Sequence, residues 1–225
     1  MVVTEIFRSI QGESSYAGRP CIFVRLTGCN LRCRWCDTAY AFHGGRKMTI
    51  DEVLDEVGRL AGGNGSRIPL VEITGGEPLL QPEAVPLAER LVREGYEVLV
   101  ETSGERDIAA LPREVVKIVD VKCPDSGEGG TFRMTNLEVM NQKDEVKFVI
   151  ASRGDYEFAR EFSRAHRLAE RVGHVIFSPV AADSAGAWEG MEAKSLAEWI
   201  LADRLPVRFG GQLHKQIWGA AARGV

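Results

Sequence analysis

Three closely spaced cysteines have the clearest potential for chemistry in this chain. Cys29, Cys33 and Cys36 lie in one segment, residues 27–38, which directly follows an apolar stretch. Three thiolates on one loop can converge on a metal centre, and thiolates suit iron–sulfur clusters or zinc. A site with three protein ligands leaves one metal position open for a small molecule, which is what catalysis at a metal requires.

The remaining cysteines do not extend this group. The chain has five cysteines, an odd number, so metal binding or redox chemistry is expected rather than a disulfide framework. Cys21 lies within an apolar stretch and is predicted to be a buried core thiol. An alternative for the triplet is a structural zinc site with His43 as its fourth ligand, although C-x3-C-x2-C is not a common zinc spacing.

The triplet, with Trp35 just before its last cysteine, resembles the signature of the radical S-adenosylmethionine family. The resemblance implies that the cysteines hold a [4Fe–4S] cluster and that the amine and carboxylate of S-adenosylmethionine (SAM) bind the fourth iron. An electron from the cluster then cleaves SAM to a 5′-deoxyadenosyl radical. The cofactors carry this chemistry, while the protein orients them and excludes water.

Two further segments resemble SAM-binding parts of that family. Residues 73–78 (Ile-Thr-Gly-Gly-Glu-Pro) resemble its GGEP motif, whose glycines allow close backbone approach. Residues 101–104 resemble a segment that contacts the ribose or methionine part, although acids at strand ends are often helix caps. Residues 122–125 depart from the family's Ser-Pro-Lys pattern. By resemblance, the residues expected to contact SAM are Trp35, Gly75, Gly76, Glu77, Glu101, Ser103 and Cys123.

The N-terminal residues 7–13 (Phe-Arg-Ser-Ile-Gln-Gly-Glu) resemble one branch of that family, the 7-carboxy-7-deazaguanine synthases, as do residues 36–38, 74–78 and 212–215. The resemblance implies a lyase that converts 6-carboxy-5,6,7,8-tetrahydropterin to 7-carboxy-7-deazaguanine in queuosine and 7-deazapurine biosynthesis. Hydrogen abstraction from C6, ring contraction and loss of ammonia are the implied steps. A homodimer and a reductant protein such as flavodoxin are implied as well.

The same resemblance assigns residues to the substrate and to Mg²⁺. Those expected at the substrate are Ile10, Gln11, Gly12, Glu13, Arg25, Thr74 and His214. Arg25, expected on the substrate carboxylate, alternates with Cys21 and Phe23, so on an inward face its charge needs a partner such as a carboxylate. The alternative is an outward-facing arginine. Thr38 is expected to bind Mg²⁺ together with substrate oxygens and water, or otherwise to hydrogen-bond the backbone.

Two other functions stay open at the level of sequence. A glycyl-radical-enzyme activase would direct the same radical at a macromolecular partner, but residues 11–13 and 212–215 argue against it. A non-catalytic zinc or iron–sulfur module is the other alternative. Iron and sulfide content would separate zinc from a cluster, and reductive cleavage of SAM would separate an enzyme from a carrier.

Apolar stretches rich in Val and Ile alternate with helical patterns along the chain. Strands are predicted at residues 21–26, 69–73, 97–100, 115–121, 146–150 and 175–177. Helices are predicted at residues 50–60, 82–94, 155–172 and 196–204, the first with Thr49 and Glu52 in capping-box spacing. Such alternation predicts right-handed βαβ units, a mainly parallel sheet and functional residues on the loops after the strands.

The number of strands indicates the architecture. Six or seven mainly parallel strands fall short of a closed eight-unit barrel, which takes about 250 residues; this chain has 225. We therefore expect an α/β fold, an incomplete, laterally open (β/α) barrel, with a doubly wound sheet as the alternative. Because no linker or repeat divides the sequence, residues 1–225 are expected to form a single radical SAM domain.

Charge and hydropathy limit the partners. The 28 Lys and Arg against 32 Asp and Glu give a formal net charge of −4, so the basic excess typical of nucleic-acid or anionic-membrane binding is lacking. Neither a basic leader nor a run of about 18 apolar residues is visible in the sequence. We expect a cytoplasmic enzyme with a small-molecule substrate.

Overall fold

One sheet of nine strands organises the computed structural model, which describes residues 1–63, 66–182 and 188–225. The strands are β1 Val2–Ile10, β2 Pro20–Leu26, β3 Arg46–Lys47, β4 Leu70–Gly75, β5 Glu97–Thr102, β6 Val116–Asp120, β7 Glu145–Ile150, β8 His174–Pro179 and β9 Arg208–Phe209. The helices are α1 Ile50–Ala61, α2 Ala84–Arg93, α3 Arg153–Ala165, α4 Leu168–Arg171, α5 Ala193–Asp203 and α6 Leu213–Trp218.

The strand order is β3-β1-β2-β4-β5-β6-β7-β8-β9. β1 pairs antiparallel with β2 and β3, and each neighbouring pair from β2 to β9 is parallel. β3 and β9 form the two edges, so the sheet is open. The parallel strands follow chain order without reversal, which excludes the doubly wound alternative because that fold needs a switch point. The predicted incomplete, laterally open barrel is confirmed.

The predicted elements differ from the structure in a few places. The helix predicted over residues 155–172 is wrong as a single element, because Arg167 adopts a left-handed conformation (φ 51°) and separates α3 from α4. The sequence-based prediction also lacks β1, β3, β9 and α6. The capping box of α1 is confirmed: Thr49 Oγ1 accepts from Glu52 N, and Thr49 N donates to the Glu52 carboxylate.

The two faces of the sheet carry different side chains. One face packs against the helices through buried residues such as Val24, Ile73 and Phe148, which belong to the main apolar core. The other face holds a smaller apolar cluster that includes Leu70 and Leu99. Further along the same strands, this inner face becomes polar and charged. In the described part of the chain, no helix is both long enough and apolar enough to cross a membrane.

Candidate active site

A cavity of about 240 Å³ lies at the carboxyl ends of the parallel strands, and β2, β4, β5, β6, β7 and β8 all contribute side chains to it. This is the edge where the sequence predicts functional loops. The predicted site residues that line the cavity are Ile10, Gln11, Gly12, Glu13, Arg25, Cys29, Cys33, Trp35, Cys36, Thr38, Thr74, Gly75, Gly76, Glu101, Ser103 and His214. The fold therefore brings together segments that lie far apart in the sequence.

The cysteine loop follows β2 and lies against the turn that ends β4. Cys29, Cys33 and Cys36 are partly buried free thiols that line the same cavity. A Cβ at Gly76 would come within 2.4 Å of Gly28 O and 2.5 Å of Cys29 Cβ. A glycine at position 76 therefore allows the loop to lie this close to the turn.

The three thiols present the donor set of an iron–sulfur cluster. Each thiolate of such a cluster binds a different iron, so the sulfurs surround the cluster instead of meeting at one point. Burial raises the pKa of Cys29 and raises that of Cys33 to about 11, so binding of iron must displace protons from these thiols. Among the described residues, no three His, Cys, Asp or Glu side chains are grouped to hold one metal ion. His43, the fourth ligand of the zinc alternative, is exposed and does not line the cavity.

Lys147 of β7 organises the anionic side of the cavity. Its Nζ lies 2.5 Å from Glu101 Oε1, 2.8 Å from Glu13 Oε2 and 3.8 Å from Asp120 Oδ2. Burial alone would lower the pKa of Lys147, but Glu101, Glu13 and Asp120 hold it well above its usual value. The pKa of Glu13 is lowered, because the attraction of Lys147 and two hydrogen bonds outweigh the effect of burial. Lys147 is therefore a buried ammonium shared by carboxylates from three parts of the chain.

A second cation, Lys122, lies near the cysteine loop. Its Nζ is 2.8 Å from Asp120 Oδ2. Burial opposes its charge, but Asp120 and then Cys33 raise its pKa above the usual range, and Lys122 in turn acts to lower the pKa of Cys33. The other carboxylate oxygen, Asp120 Oδ1, is buried and has no hydrogen-bond partner within the described residues.

Arg25 of β2 faces the cavity, so the outward-facing alternative is excluded. Its Nε donates to Glu5 Oε1 at 2.8 Å, and Tyr40 Oη donates to the same oxygen at 2.8 Å. The guanidinium lies over the Phe7 ring, with its carbon 5.7 Å from the ring centroid. The predicted carboxylate partner is thus supplied by the chain itself at Nε, while the two terminal nitrogens make no side-chain hydrogen bond within the described residues.

The N-terminal and C-terminal motifs meet at the cavity mouth. Leu213 N donates to Gly12 O at 2.9 Å, and a Cβ at Gly12 would come within 2.1 Å of His214 Nδ1. Gln212 Nε2 donates to Glu13 Oε1 at 2.8 Å. Only a glycine at position 12 leaves room for α6 to lie against this segment. The two motifs therefore form one wall although about two hundred positions separate them.

The segment after the last cysteine is tied to the same wall. Asp37 Oδ2 accepts from Lys215 Nζ at 2.8 Å and from Gln212 Nε2 at 3.2 Å. Burial would raise the pKa of Asp37, but Lys215 outweighs it and the pKa is lowered. Thr38 lines the cavity, and its Oγ1 lies 3.8 Å from Cys36 Sγ. Thr38 therefore presents a hydroxyl beside the cysteine loop.

The comparison with known proteins agrees with this geometry. A sequence profile described as the Radical SAM superfamily matches residues 23–125. The 7-carboxy-7-deazaguanine synthase of Koribacter versatilis is 58% identical over 231 residues, which cover 100% of both chains. This chain belongs to the 7-carboxy-7-deazaguanine synthase family. The synthase of Chlorobaculum tepidum is 43% identical and covers 99% of this chain and 96% of its own.

A solved structure shares the fold of this 7-carboxy-7-deazaguanine synthase family member. The crystal structure of QueE from Escherichia coli matches with a TM-score of 0.72 and 24% identity, and it covers 95% of this chain and 94% of that one. As radical SAM enzymes, family members use a [4Fe–4S] cluster and SAM. Family membership supports neither the activase nor the non-catalytic module.

Two predicted site residues of this synthase family member do not line the cavity. The buried Glu77 carboxylate accepts from Thr102 Oγ1 at 2.8 Å, from Ser103 N at 2.8 Å and from Ser103 Oγ at 2.7 Å. It thereby fastens the turn after β4 to the end of β5. Cys123 is buried in the main apolar core and stands before a 3₁₀ turn. Their predicted contacts with SAM stay predictions.

The cavity of this synthase family member also contains ionisable residues that the sequence-based prediction lacks: Glu72, Asp120, Lys122 and Lys147. A signal for them exists in the sequence, because each interrupts a Val- and Ile-rich strand or directly follows one. A charge at such a position must face either solvent or a polar site. The period of two places these charges on the inner face, but only the strand order shows that they share one cavity.

Proposed function

We propose that the chain is a radical SAM lyase that converts 6-carboxy-5,6,7,8-tetrahydropterin to 7-carboxy-7-deazaguanine with loss of ammonia. The observation that carries the proposal is the convergence of the cysteine loop, residues 10–13, Arg25, Thr74 and His214 on one cavity. This convergence supports a single site for cofactor and substrate. Family membership at 58% identity over the full chain supports the reaction.

The residues around the cysteine loop fit the two cofactors. With cluster and SAM bound, reductive cleavage of SAM supplies a radical that abstracts hydrogen. Cys29, Cys33 and Cys36 would hold the cluster, and Gly76 keeps the turn after β4 in contact with their loop. The charged groups that face this region, Lys122 and Asp120, provide an electrostatic environment for a zwitterionic ligand.

The substrate carboxylate is assigned to Arg25. Glu5 binds Arg25 through Nε, which orients the guanidinium and leaves its terminal nitrogens for a carboxylate. The apolar ring of Phe7 beneath the guanidinium favours a desolvated ion pair. Gln11 and His214 line the same cavity and are assigned to the heterocycle.

Mg²⁺ is part of the proposal. Thr38 would hold the ion by its hydroxyl, and substrate oxygens and water would complete its coordination, since Mg²⁺ readily keeps water ligands. The ion would orient the carboxylate and stabilise charge during the rearrangement. A single hydroxyl is a weak site, so metal and substrate binding should be coupled.

Partners and location complete the proposal. We assign electron delivery to a reductant protein such as flavodoxin, and we propose a homodimer of single-domain chains in the cytoplasm. These assignments rest on family resemblance. Sedimentation of the reconstituted protein and reduction of the cluster by flavodoxin would test them.

The reaction can be tested directly. Anaerobic incubation of the reconstituted enzyme with reductant, SAM, Mg²⁺ and 6-carboxytetrahydropterin should yield 7-carboxy-7-deazaguanine by mass spectrometry, with one ammonia per product. Arg25→Lys keeps the charge but loses the planar fork, so it should raise the substrate KM about tenfold or more and spare uncoupled SAM cleavage. SAM cleavage without this product would contradict the proposed substrate.

The role of Mg²⁺ has its own test. Titration of Mg²⁺ with and without the pterin should show that each ligand raises the affinity of the enzyme for the other by the same factor. Thr38→Ala should weaken that coupling, whereas Thr38→Ser, which keeps the oxygen ligand, should preserve much of it. Identical Mg²⁺ curves with and without the substrate in the unmodified enzyme would remove the metal from the proposal.

A further inference from the structure

We propose that Glu72 recognises the amino-pyrimidinone edge of the bound heterocycle and thereby selects a 2-amino pterin over its 2-oxo counterpart. This inference rests on the proposed function, because it assumes that a pterin occupies the cavity. It adds a specificity-determining residue that the sequence motifs do not include. The argument depends on where Glu72 lies, on its neighbours and on the donors that a pterin offers.

Glu72 lies at the floor of the cavity. It is on β4, two residues after Leu70 and two before Thr74, and its side chain lines the cavity although only 2% of the residue is exposed. Leu70, two residues earlier on the same face, and Leu99 of β5, in register with Glu72, belong to the inner apolar cluster. A flat ligand in the cavity can therefore contact a buried carboxyl group that borders the apolar cluster.

The surroundings hold the Glu72 side chain in place, and the attraction of Lys147 and Arg25 is weaker than the effects that oppose its charge. Gln11 Nε2 donates to Glu72 Oε2, while Gln11 Oε1 accepts from Glu13 N at 2.6 Å, which fixes the orientation of the amide. Its two acidic neighbours, Glu101 and Glu13, both bind Lys147. Across the described residues, Glu72 forms no salt bridge. Burial and then these two carboxylates raise its pKa well above the usual range.

Such a carboxyl group calls for a ligand that brings paired N–H donors. A carboxylate accepts two coplanar hydrogen bonds, and the 2-amino group and ring N3–H of a pterin present two adjacent donors. Paired N–H donors from the ligand would favour the charged form of Glu72, which burial opposes, and would add to the single side-chain donor that Gln11 supplies.

The spacing along the strands agrees with a bicyclic ligand. Phe23 of β2 is in register with Glu72, and Arg25 is in register with Thr74. Arg25 therefore lies two residues further along the strand direction than Glu72, a rise of about 6.6 Å. A ligand with a carboxylate at one end and an amino-pyrimidinone at the other can bind Arg25 and Glu72 together.

The test compares two redox-inert analogues, 6-carboxypterin and 6-carboxylumazine, which differ in a 2-amino against a 2-oxo group. Calorimetric titration of the reconstituted holoenzyme with SAM should show that the pterin binds about thirtyfold tighter or more, since hydrogen bonds to a charged group carry this difference. Glu72→Gln replaces a carboxylate, which only accepts, by an amide with one acceptor and one donor. The amide can accept from N3–H and donate to the 2-oxo group of the lumazine. The preference should therefore fall to a few-fold or reverse.

The control variant is Glu145→Gln. Glu145 is also a buried carboxyl, it accepts from Ser15, and it lies outside the cavity lining. This variant should keep the preference of the unmodified enzyme. Glu72→Asp is a second variant, which keeps the acid but shortens the side chain by one methylene. The loss of affinity for the pterin should be at least about tenfold larger than the loss for the lumazine.

The outcomes separate the inference from the function on which it rests. Conversion of the tetrahydropterin together with an unchanged analogue preference in both Glu72 variants would overturn the role of Glu72 alone. An unmodified enzyme that binds both analogues equally would overturn it too, whether or not the variants fold. Failure of the unmodified enzyme to bind 6-carboxypterin or to convert the tetrahydropterin would instead contradict the proposed function.

Discussion

Two layers of the barrel interior lie on the same strands yet differ completely in chemistry. In the lower layer, β4, β5 and β6 present Leu70, Leu99 and Ile118. Two residues further along, on the same face, the same three strands present Glu72, Glu101 and Asp120, which line the cavity. A step of two residues along each strand therefore separates the core of the barrel from its candidate active site.

The difference shows how one sheet serves both stability and chemistry. The lower layer gains free energy from burial of apolar surface. In the upper layer, removing charges from water costs free energy. Ion pairs offset that cost, chiefly those of Lys147 and Lys122. We therefore expect substitutions in the lower layer to change stability and those in the upper layer to change activity as well.

The largest expected contrast is between the thiols of the two regions. Cys29→Ala, Cys33→Ala and Cys36→Ala should each abolish the brown cluster chromophore and SAM cleavage, because three thiolates hold the cluster. Cys21→Ala in the lower layer should keep both and cost only about 1 kcal/mol of stability. Iron content, visible absorbance and SAM cleavage measure this, with Cys123→Ala as a second control. Cluster loss in Cys123→Ala would contradict the ligand assignment.

Lys147→Met tests the charged layer. Removal of the ammonium leaves Glu101, Glu13 and Asp120 buried without it, so the free energy of unfolding should fall by about 3–5 kcal/mol and turnover should be lost. Urea unfolding followed by circular dichroism would measure the first effect. Lys117→Met is the matched control, since Lys117 is a buried lysine 3.6 Å from Asp144 and outside the cavity lining. It should cost stability and retain cofactor chemistry.

The stability loss of Lys147→Met should also depend on pH. Against the opposing effect of burial, Lys147 lowers the pKa of Glu13, and Lys122 together with Lys147 lowers that of Asp120. A lowered carboxyl pKa stabilises the fold above the ordinary carboxyl pKa, and this contribution is lost as the pH falls through the lowered value. The stability deficit of Lys147→Met should thus be largest near neutral pH and shrink in acid. An equal deficit at both pH values would argue against this ion-pair network.

Leu99→Ala tests the apolar layer. Leu99 is fully buried, so the substitution should lower the free energy of unfolding by about 2–5 kcal/mol through lost burial and the cavity left behind. At a temperature where the variant stays folded, the KM for the pterin should change little. A large KM change without a loss of stability would show that the two layers are not separable.

Lys215→Met should have the smallest effect on stability. The Lys215–Asp37 pair spans 2.8 Å, but the Asp37 side chain is 44% exposed, so its loss should cost about 0.2–1 kcal/mol and depend on salt. Because the pair ties α6 to the cysteine loop, the substrate KM should still rise a few-fold. Lys194→Met, which removes an exposed pair with Glu198 on α5, should leave the KM unchanged.

Local patterns in the sequence were enough to determine much of this protein. The alternation of apolar stretches and helical patterns predicted the central parallel strands, and Thr49 and Glu52 predicted the start of α1, since both depend only on neighbours in the chain. The cysteine triplet follows β2 as predicted. The period of two placed Arg25 on the same face as Phe23, and the structure shows that this face lines the cavity.

The tertiary structure alone decided which distant residues share the site. Lys147 and Glu13 are 134 positions apart, and Gln212 and Glu13 are 199 apart, yet both pairs are in contact. Such contacts depend on strand order and register, and a shift of one residue would turn every side chain of a strand to the other face. The floor residue Glu72 illustrates the reason. Its sequence predicts a charge within a buried strand, whereas its neighbours Gln11, Glu101 and Leu99 come from other strands and from the turn after β1.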